Sequence, residues 1–230
     1  MHLVDGVVSN PLVACASVVA VGAVALGLRR VQPDDVPKIA LLSAAFFVAS
    51  VIRVPIGPGA AHLMLTGLLG MILGPMIFPA VLAGLLMQSL VFGFGGVSVL
   101  GLNLLNVALP GYLAYVLFSP LLRRVSAPVF MSASPSLPSQ TLPAQTRSAR
   151  IFALGAAAGG FAVLGSALMV AAALALSGDG FLPAAQLIVL AHLPVVLVEG
   201  LVVGVALSFL LKIKPGLFLA PGGFAKRAFS

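Results

Sequence analysis

Residues 151–177, "IFALGAAAGGFAVLGSALMVAAALALS", decide the fold, because they contain no charged side chain. A helix needs roughly 20 residues to cross the hydrocarbon core of a bilayer, so this stretch predicts a transmembrane helix. The whole chain has the same character, with 61% hydrophobic residues, 7% charged residues and a mean hydropathy of +1.21. A soluble domain carries roughly a quarter charged residues. The composition therefore excludes a soluble monomer and predicts an all-α, polytopic membrane protein.

The apolar segments predict a bundle of about seven transmembrane helices in a single membrane domain over residues 1–230. They are residues 11–28, 38–53, 60–74, 76–94, 103–119, 151–177 and 184–211. The second and third are short and flank the Gly/Pro-rich stretch "RVPIGPGAAH", which fits helices packed inside the bundle better than helices facing lipid. A Ser/Pro-rich region, 120–150, predicts a cytoplasmic linker between helices five and six. No internal repeat is found.

The basic residues predict the orientation, because loops on the cytoplasmic side carry an excess of Lys and Arg. With the N-terminus outside and the C-terminus in the cytoplasm, only Arg53 of the twelve basic residues falls outside. The eleven inner ones are Arg29, Arg30, Lys38, Arg123, Arg124, Arg147, Arg150, Lys212, Lys214, Lys226 and Arg227. The net charge of +7 is thereby attributed to membrane topology and not to a nucleic-acid partner. The lone Cys15 excludes disulfides within the chain.

Polar residues inside the membrane are costly, and each is a candidate for function. His62, Asn103 and His192 gather at the outer end of the predicted bundle. Each also has a purely structural interpretation. A lone His at a helix end is more often an interfacial hydrogen-bonding residue, and Asn side chains cap helices or join them. Asn106 is predicted to act like Asn103, and Gln88 to make a packing hydrogen bond. His192 and Glu199 share one helix face, and both a structural bridge between helices and a role in substrate binding stay open for this pair. Arg53, Asp179 and Gln186 complete the set of polar residues in or near the membrane.

The opening residues, "MHLVDG", offer a metal-chelating arm. A free α-amine at Met1 and the amide nitrogen of His2 would close a five-membered chelate ring, and that amide with the His2 imidazole a six-membered ring. Three nitrogens then lie in one plane, and a second imidazole would complete a square. Square-planar nitrogen sites favour Ni(II) or Cu(II), with Co(II) binding more weakly. The bulk of His2 is expected to protect Met1 from removal.

These six residues resemble the opening of the cobalt/nickel S components of energy-coupling factor transporters (the NikM/CbiM family). Three further blocks are similar to that family in the same order. They are "IGPGAAHLMLTGLLGMILGP" at 56–75, "GFGGVSVLGLNLLNVALPG" at 93–111 and "HLPVVLVEGLVVG" at 192–204. The resemblance covers most of residues 1–118 and 184–205. It implies seven helices with the N-terminus tucked into the bundle from outside, in the plasma (inner) membrane of a prokaryote.

The resemblance also implies the ligand set, which carries over to Met1, His2 and His62. A supporting shell that holds the opening segment in place is assigned to Asp5, Asn103, Glu199 and His192. The transported ligand is expected to be Ni(II) or Co(II), with no cofactor, and the sequence leaves the choice between the two metals open. The expected partners are a membrane coupling protein (T component), two ATPase subunits and a small accessory membrane subunit.

The chain lacks a Gly-x-x-x-x-Gly-Lys-Ser/Thr loop and a His-Glu-x-x-His helix, so it is not expected to be an enzyme. Two alternatives stay open. An S component for a vitamin-like solute would need an aromatic cavity, whereas the chain has no Trp and only Tyr112 and Tyr115. A stand-alone secondary permease is disfavoured by the absence of repeats and the few intramembrane charges.

Overall fold

The computed structural model describes residues 3–56, 59–93, 95–131, 144–214 and Phe218. Within these ranges the chain is predominantly helical, which confirms the predicted all-α class. The helices are α1 (Asn10–Leu28), α2 (Val36–Ala49), α3 (Thr66–Leu73), α4 (Ile77–Phe92), α5 (Leu100–Met131), α6 (Ala144–Ala175) and α7 (Leu182–Ile213). One short antiparallel hairpin, β1 (Arg53–Ile56) and β2 (Gly59–His62), lies between α2 and α3.

Five segments of the described chain are long and apolar enough to cross a membrane. They are α1, the stretch Thr66–Phe92, Leu100–Ser126, Gln145–Ala175 and α7. In the second of these, α3 and α4 are joined by the 3₁₀ turn Gly74–Met76. The predicted count of seven spans, the outer N-terminus and the cytoplasmic C-terminus stay predictions.

Helices α5, α6 and α7 form the centre of the structure and pack through glycines. A Cβ at Gly155 would lie 2.9 Å from the Cα of Gly204, and one at Gly165 would lie 2.9 Å from the Cβ of Pro110. Small residues at these positions let helix backbones approach closely, which is the usual mode of helix association in membranes. The close contacts join α6 to α7 and α5 to α6.

Helix α3 is enclosed by this centre, since all eight of its residues are buried. A Cβ at Gly70 would overlap the carbonyl of Gly111, and one at Gly67 would lie 2.6 Å from the Cα of Gly159. The expectation that the third apolar segment packs inside the bundle is confirmed. For the second segment it is wrong, because α2 buries Phe46 against Gly84 but leaves Leu41 71% exposed.

Two predicted boundaries are also wrong. The apolar segment 60–74 does not begin as a helix: residues 59–62 pair with residues 53–56 in the register Arg53↔His62, and α3 starts only at Thr66. The predicted linker 120–150 is helical at both ends, since α5 continues to Met131 and α6 begins at Ala144. Leu122 and Ser126, one helical turn apart, are both 3% exposed, so packing against the core extends α5 through the Ser/Pro-rich composition.

Candidate metal centre

The base of the opening segment is held inside the bundle. Met1 and His2, two of the three predicted ligands, lie outside the described residues. Leu3 directly follows them and is only 5% exposed. Its N–H donates to Oδ1 of Asn103 at 2.9 Å, and its carbonyl accepts from Nδ2 of Asn103 at 3.0 Å. Asn103 lies in the first turn of α5 and therefore fixes the backbone next to the predicted chelating arm.

Asp5 anchors the same segment from the surface. Its carboxylate accepts a hydrogen bond from the hydroxyl of Ser98, in the loop between α4 and α5. Gly96 of that loop lies so close that a Cβ there would overlap the Asp5 carboxylate. Ser98 and Gly96 were not predicted as site residues, although both fall in the Gly-rich block 93–111. The loop thus holds the opening segment two residues beyond Leu3.

The third predicted ligand is His62. The sequence suggested that it opens a helix, but in the structure it is the last residue of strand β2. Its side chain is 8% exposed, and its Nδ1 lies 3.4 Å from the carbonyl oxygen of Leu63. His62 lies four residues before the start of α3 at Thr66. The position of His62 is therefore set by the hairpin and by the short connection to α3.

Glu199 hydrogen-bonds to the short connection between β2 and α3. The carboxylate lies in the middle of α7, is fully buried, and its Oε2 accepts from the backbone N–H of Met64 at 3.0 Å. The next residue, Leu65, has φ 53°, a left-handed conformation that a residue with a side chain rarely adopts. Such backbone strain costs of order 1–3 kcal/mol and persists only where the surroundings hold it. Glu199 and the buried helix α3 hold it here.

His192 lies two helical turns before Glu199 on nearly the same face of α7. Its ring is 8% exposed, and Nδ1 is 2.6 Å from the carbonyl oxygen of Ile188. The other ring nitrogen, Nε2, is buried and has no hydrogen-bond partner in the described part of the chain. His192 is thus a buried imidazole with one nitrogen occupied.

The amides of Asn106 and Gln88 behave differently from the prediction. Both side chains are buried, at 1% and 0% exposure. Neither makes a hydrogen bond to any described residue. The helix-joining and packing hydrogen bonds predicted for them are therefore not observed within the described ranges.

Across residues 3–56, 59–93, 95–131 and 144–214, no group of three or more His, Cys, Asp or Glu side chains is arranged to hold a metal ion. The described residues form two anchors instead. Asn103 hydrogen-bonds to the backbone of Leu3, next to His2. Glu199 hydrogen-bonds to the backbone N–H of Met64, two residues beyond His62. The ligand set Met1, His2 and His62 stays a prediction.

Comparison with known proteins identifies relatives over nearly the whole chain. The family model described as "Cobalt uptake substrate-specific transmembrane region" (CbiM) matches residues 2–217. The cobalt transport protein CbiM of Sorangium cellulosum is 30% identical over 246 aligned positions, covering 96% of this chain and 99% of that protein. A putative metal transport protein of Haemophilus influenzae is 48% identical over 118 residues, or 51% of this chain.

The chain spans only part of some relatives. Its match covers 57% of the Haemophilus influenzae protein and 34% of the fused nickel transport protein NikMN of Rhodobacter capsulatus. Among solved structures, a crystal structure of a transition metal transporter aligns over 100% of both chains with a TM-score of 0.69 and 22% identity. A truncated transition metal transporter aligns over 92% of this chain with a TM-score of 0.67. These two structures support the fold.

Proposed function

The chain belongs to the cobalt uptake substrate-specific transmembrane (CbiM) family, and from that membership we propose that it is the metal-capturing S component of an energy-coupling factor importer. Its family is a component of cobalt/nickel transporters and not an enzyme, and its members are multi-pass proteins of prokaryotic plasma membranes. The proposal goes further in two respects: the chain takes Ni(II) or Co(II) from outside the cell, and it delivers the metal for ATP-driven uptake.

The observation that carries this proposal is the pair of hydrogen bonds between Asn103 and Leu3. A chelating arm at a chain end is flexible, and ordering its backbone costs roughly 1–2 kcal/mol per residue. Clamping residue 3 inside the bundle removes part of that cost before the metal arrives.

The second ligand-bearing segment is pre-organised in the same way. Glu199 holds the N–H of Met64, and the left-handed Leu65 turns the chain from β2 into α3. Residues that orient metal ligands through hydrogen bonds contribute strongly to affinity in known metal sites. In the proposed site, α5 holds the arm that carries His2, and α7 holds the strand end that carries His62.

The donor set of the proposal explains the class of metal. The Met1 amine, the amide and imidazole of His2, and the His62 imidazole are all nitrogen donors, which suit Ni(II) and Co(II) better than the oxygen-seeking Mg(II) or Ca(II). The amine and the amide lose protons when they bind, so capture releases protons. The metal is the cargo, so the site must also let it go.

Release and translocation need energy that this chain has no nucleotide-binding loop to supply. We assign that role to two ATPase subunits that act through a membrane coupling protein. A small accessory membrane subunit is a further proposed partner, with a role in metal loading. Together they would make this chain the specificity subunit of the importer.

Uptake in membrane vesicles tests the function. The chain, with its native N-terminus, is co-produced with the coupling protein and ATPases of a cobalt/nickel importer, and radioactive nickel and cobalt are measured with and without ATP. Accumulation that requires both the partners and ATP is expected. Accumulation by this chain alone without ATP would instead indicate a stand-alone permease.

A further inference from the structure

One end of the unit formed by α5, α6 and α7 is strongly basic. Six residues, together called the basic end, give it this character: Arg123 and Arg124 on α5, Arg147 and Arg150 on α6, and Lys212 and Lys214 at the end of α7. The sequence predicted the four arginines in a linker. In the structure they lie on helices, because α5 continues to Met131 and α6 begins at Ala144. Their backbone positions are therefore fixed by the fold.

The packing of α5 against α6 brings the arginines of both helices to one end. Pro110 of α5 lies against Gly165 of α6. Two turns farther along α5, the ring of Phe118 lies 6.0 Å from the ring of Phe161, so the two helices are antiparallel. Counted from either contact, the nearer arginine of α6 lies within about two helical turns of the arginine pair of α5.

The packing of α7 against α6 adds the lysines at the same level. Gly155 of α6 lies against Gly204 of α7, and the two helices are antiparallel, since only residues 176–181 connect them. Arg147 precedes the first of these glycines by eight residues, and Lys212 follows the second by eight residues. Because every residue of an α-helix rises by the same amount, these two cations lie at about the same height along the bundle.

No acidic side chain neutralises the basic end. The whole sequence contains five acidic residues: Asp5, Asp34, Asp35, Asp179 and Glu199. Asp5 contacts the loop before α5, and Asp179 precedes α7, so both stand at the opposite end of these helices. Glu199 lies in the middle of α7 and bonds the Met64 backbone. These three acids are therefore remote from the basic end.

The other two acids lie in the connection between α1 and α2. Gly27, near the end of α1, lies against the turn between α3 and α4, and that turn lies against Tyr115 of α5. Tyr115 precedes Arg123 by eight residues, roughly 12 Å along the helix. Asp35 is also occupied, since its carboxylate pairs with Nζ of Lys38 at 2.7 Å. The cations of the basic end therefore repel one another, and an external anion would relieve that repulsion.

The surface that leads to the basic end is apolar and exposed. On α5 it carries Leu117 and Leu121, and on α7 it carries Phe209, all of them exposed. Leu121 is two residues before Arg123, and Phe209 is three residues before Lys212. Exposed apolar side chains of a membrane-spanning helix face acyl chains, and Lys or Arg side chains near the helix ends reach the headgroup region.

We propose that the basic end binds the phosphate headgroup of an anionic phospholipid whose acyl chains lie along this apolar surface. Arginine guanidinium groups present paired N–H donors that match the oxygens of a phosphate. Basic pockets between transmembrane helices on the cytoplasmic side are known to bind anionic lipid headgroups. In the orientation predicted for the chain, the basic end faces the inner leaflet of the membrane.

The order of charge and apolar surface favours a lipid over an acidic protein. Along α5 and α7 the exposed apolar side chains come first and the cations follow, which is the order in which a phospholipid presents its acyl chains and its phosphate. A bound headgroup would offset the repulsion among the cations and connect the ends of the three helices. Anionic lipid is therefore expected to stabilise the fold.

The test uses the purified full chain in detergent and two lipids with the same acyl chains, dioleoylphosphatidylglycerol, which is anionic, and dioleoylphosphatidylcholine, which is neutral overall. Native mass spectrometry measures the affinity for each lipid, and thermal unfolding measures the midpoint in its presence. The test variant is Arg123→Gln/Arg150→Gln. The control is Arg29→Gln/Arg30→Gln, which removes the same charge from two exposed arginines at the end of α1.

Wild type and control are expected to bind phosphatidylglycerol about tenfold or more tightly than phosphatidylcholine, and phosphatidylglycerol should raise their unfolding midpoints. The test variant should lose most of that preference, since each basic residue near a charged headgroup contributes about a fivefold factor, while its affinity for phosphatidylcholine stays the same. If this variant does not fold, Arg124→Gln/Lys212→Gln takes its place.

Equal affinities of the wild type for the two lipids would overturn the inference. Equal losses in the test and control variants would overturn it as well, because the charge would then act without a defined site. If the wild type shows no lipid preference and the test variant no longer co-purifies with the coupling protein and ATPases, the basic end is an interface for an acidic protein surface and not a lipid site.

Discussion

Asn103 bonds both polar groups of the Leu3 backbone, across 100 residues of sequence, with distances of 2.9 and 3.0 Å. One side chain on α5 thereby satisfies the N–H and the C=O of the residue that follows the predicted chelating arm. Both residues are buried, at 2% and 5% exposure, so water does not compete for these bonds.

Replacing Asn103 with Leu removes both bonds while keeping a side chain of similar size. We expect metal affinity to fall by about 10- to 100-fold, the usual cost of losing a residue that orients a metal ligand. Asn103→Asp keeps an acceptor for the Leu3 N–H, so its metal affinity should lie between those of the wild type and Asn103→Leu. Isothermal titration with nickel measures the change. Equal affinity in wild type and Asn103→Leu would show that the clamp does not support the site.

Glu199 is expected to stabilise the fold as a hydrogen-bond acceptor and not through its negative charge. In Glu199→Gln the amide oxygen can still accept from the Met64 N–H, whereas Glu199→Ala leaves that buried donor unpaired, at a cost of about 1–3 kcal/mol. Thermal unfolding in detergent should therefore show a lower midpoint for the alanine variant than for the glutamine variant. Equally large losses in both variants would mean that the carboxylate acts by its charge.

Gly70 is expected to tolerate no side chain. A Cβ there would overlap the carbonyl of Gly111, and overpacking of this kind typically costs 1–3 kcal/mol. Gly22 is the matched control, since it also lies in a helix but a Cβ there would meet nothing within 4 Å. Gly70→Ala should lower the unfolding midpoint, while Gly22→Ala should leave it unchanged or raise it. Two equal midpoints would contradict the close packing of α3 against α5.

The loop between α4 and α5 offers a graded test of the Asp5 anchor. Ser98→Ala removes one exposed hydrogen bond to Asp5, a loss expected to change nickel affinity by less than about tenfold. Gly96→Val places a side chain where the Asp5 carboxylate lies and should displace the opening segment, with a larger loss. Titration of both variants checks the order. A weaker effect of Gly96→Val than of Ser98→Ala would contradict the anchor.

Much of the fold follows from the sequence because long apolar runs have few alternatives in a membrane. Helices α1, α6 and α7 begin and end within a few residues or two turns of their predicted bounds. The hairpin before α3 was missed, since its residues share the apolar composition of the helix that follows. The left-handed Leu65 leaves no mark in composition either, because packing of α3 and the bond from Glu199 impose it.

In the candidate site too, some features could be predicted from the sequence and others could not. Asn103 and Glu199 could be singled out as costly polar residues in a membrane, but their partners could not. Each bonds a backbone group, and every residue has such groups, so the sequence carries no pattern that points to Leu3 or Met64. The family resemblance identified the sequence blocks that contain Asn103 and Glu199. Only the folded structure shows that Asn103 contacts Leu3 and that Glu199 contacts Met64.

The most direct test of the account is the nickel stoichiometry of the purified chain with an untagged N-terminus, compared with His2→Ala and with one extra residue placed before Met1. One nickel per chain is expected for the wild type and none for either altered protein, because His2→Ala removes a ligand and the extra residue moves the terminal amine. Undiminished binding by both altered proteins would contradict it and would leave the opening segment as a structural anchor only.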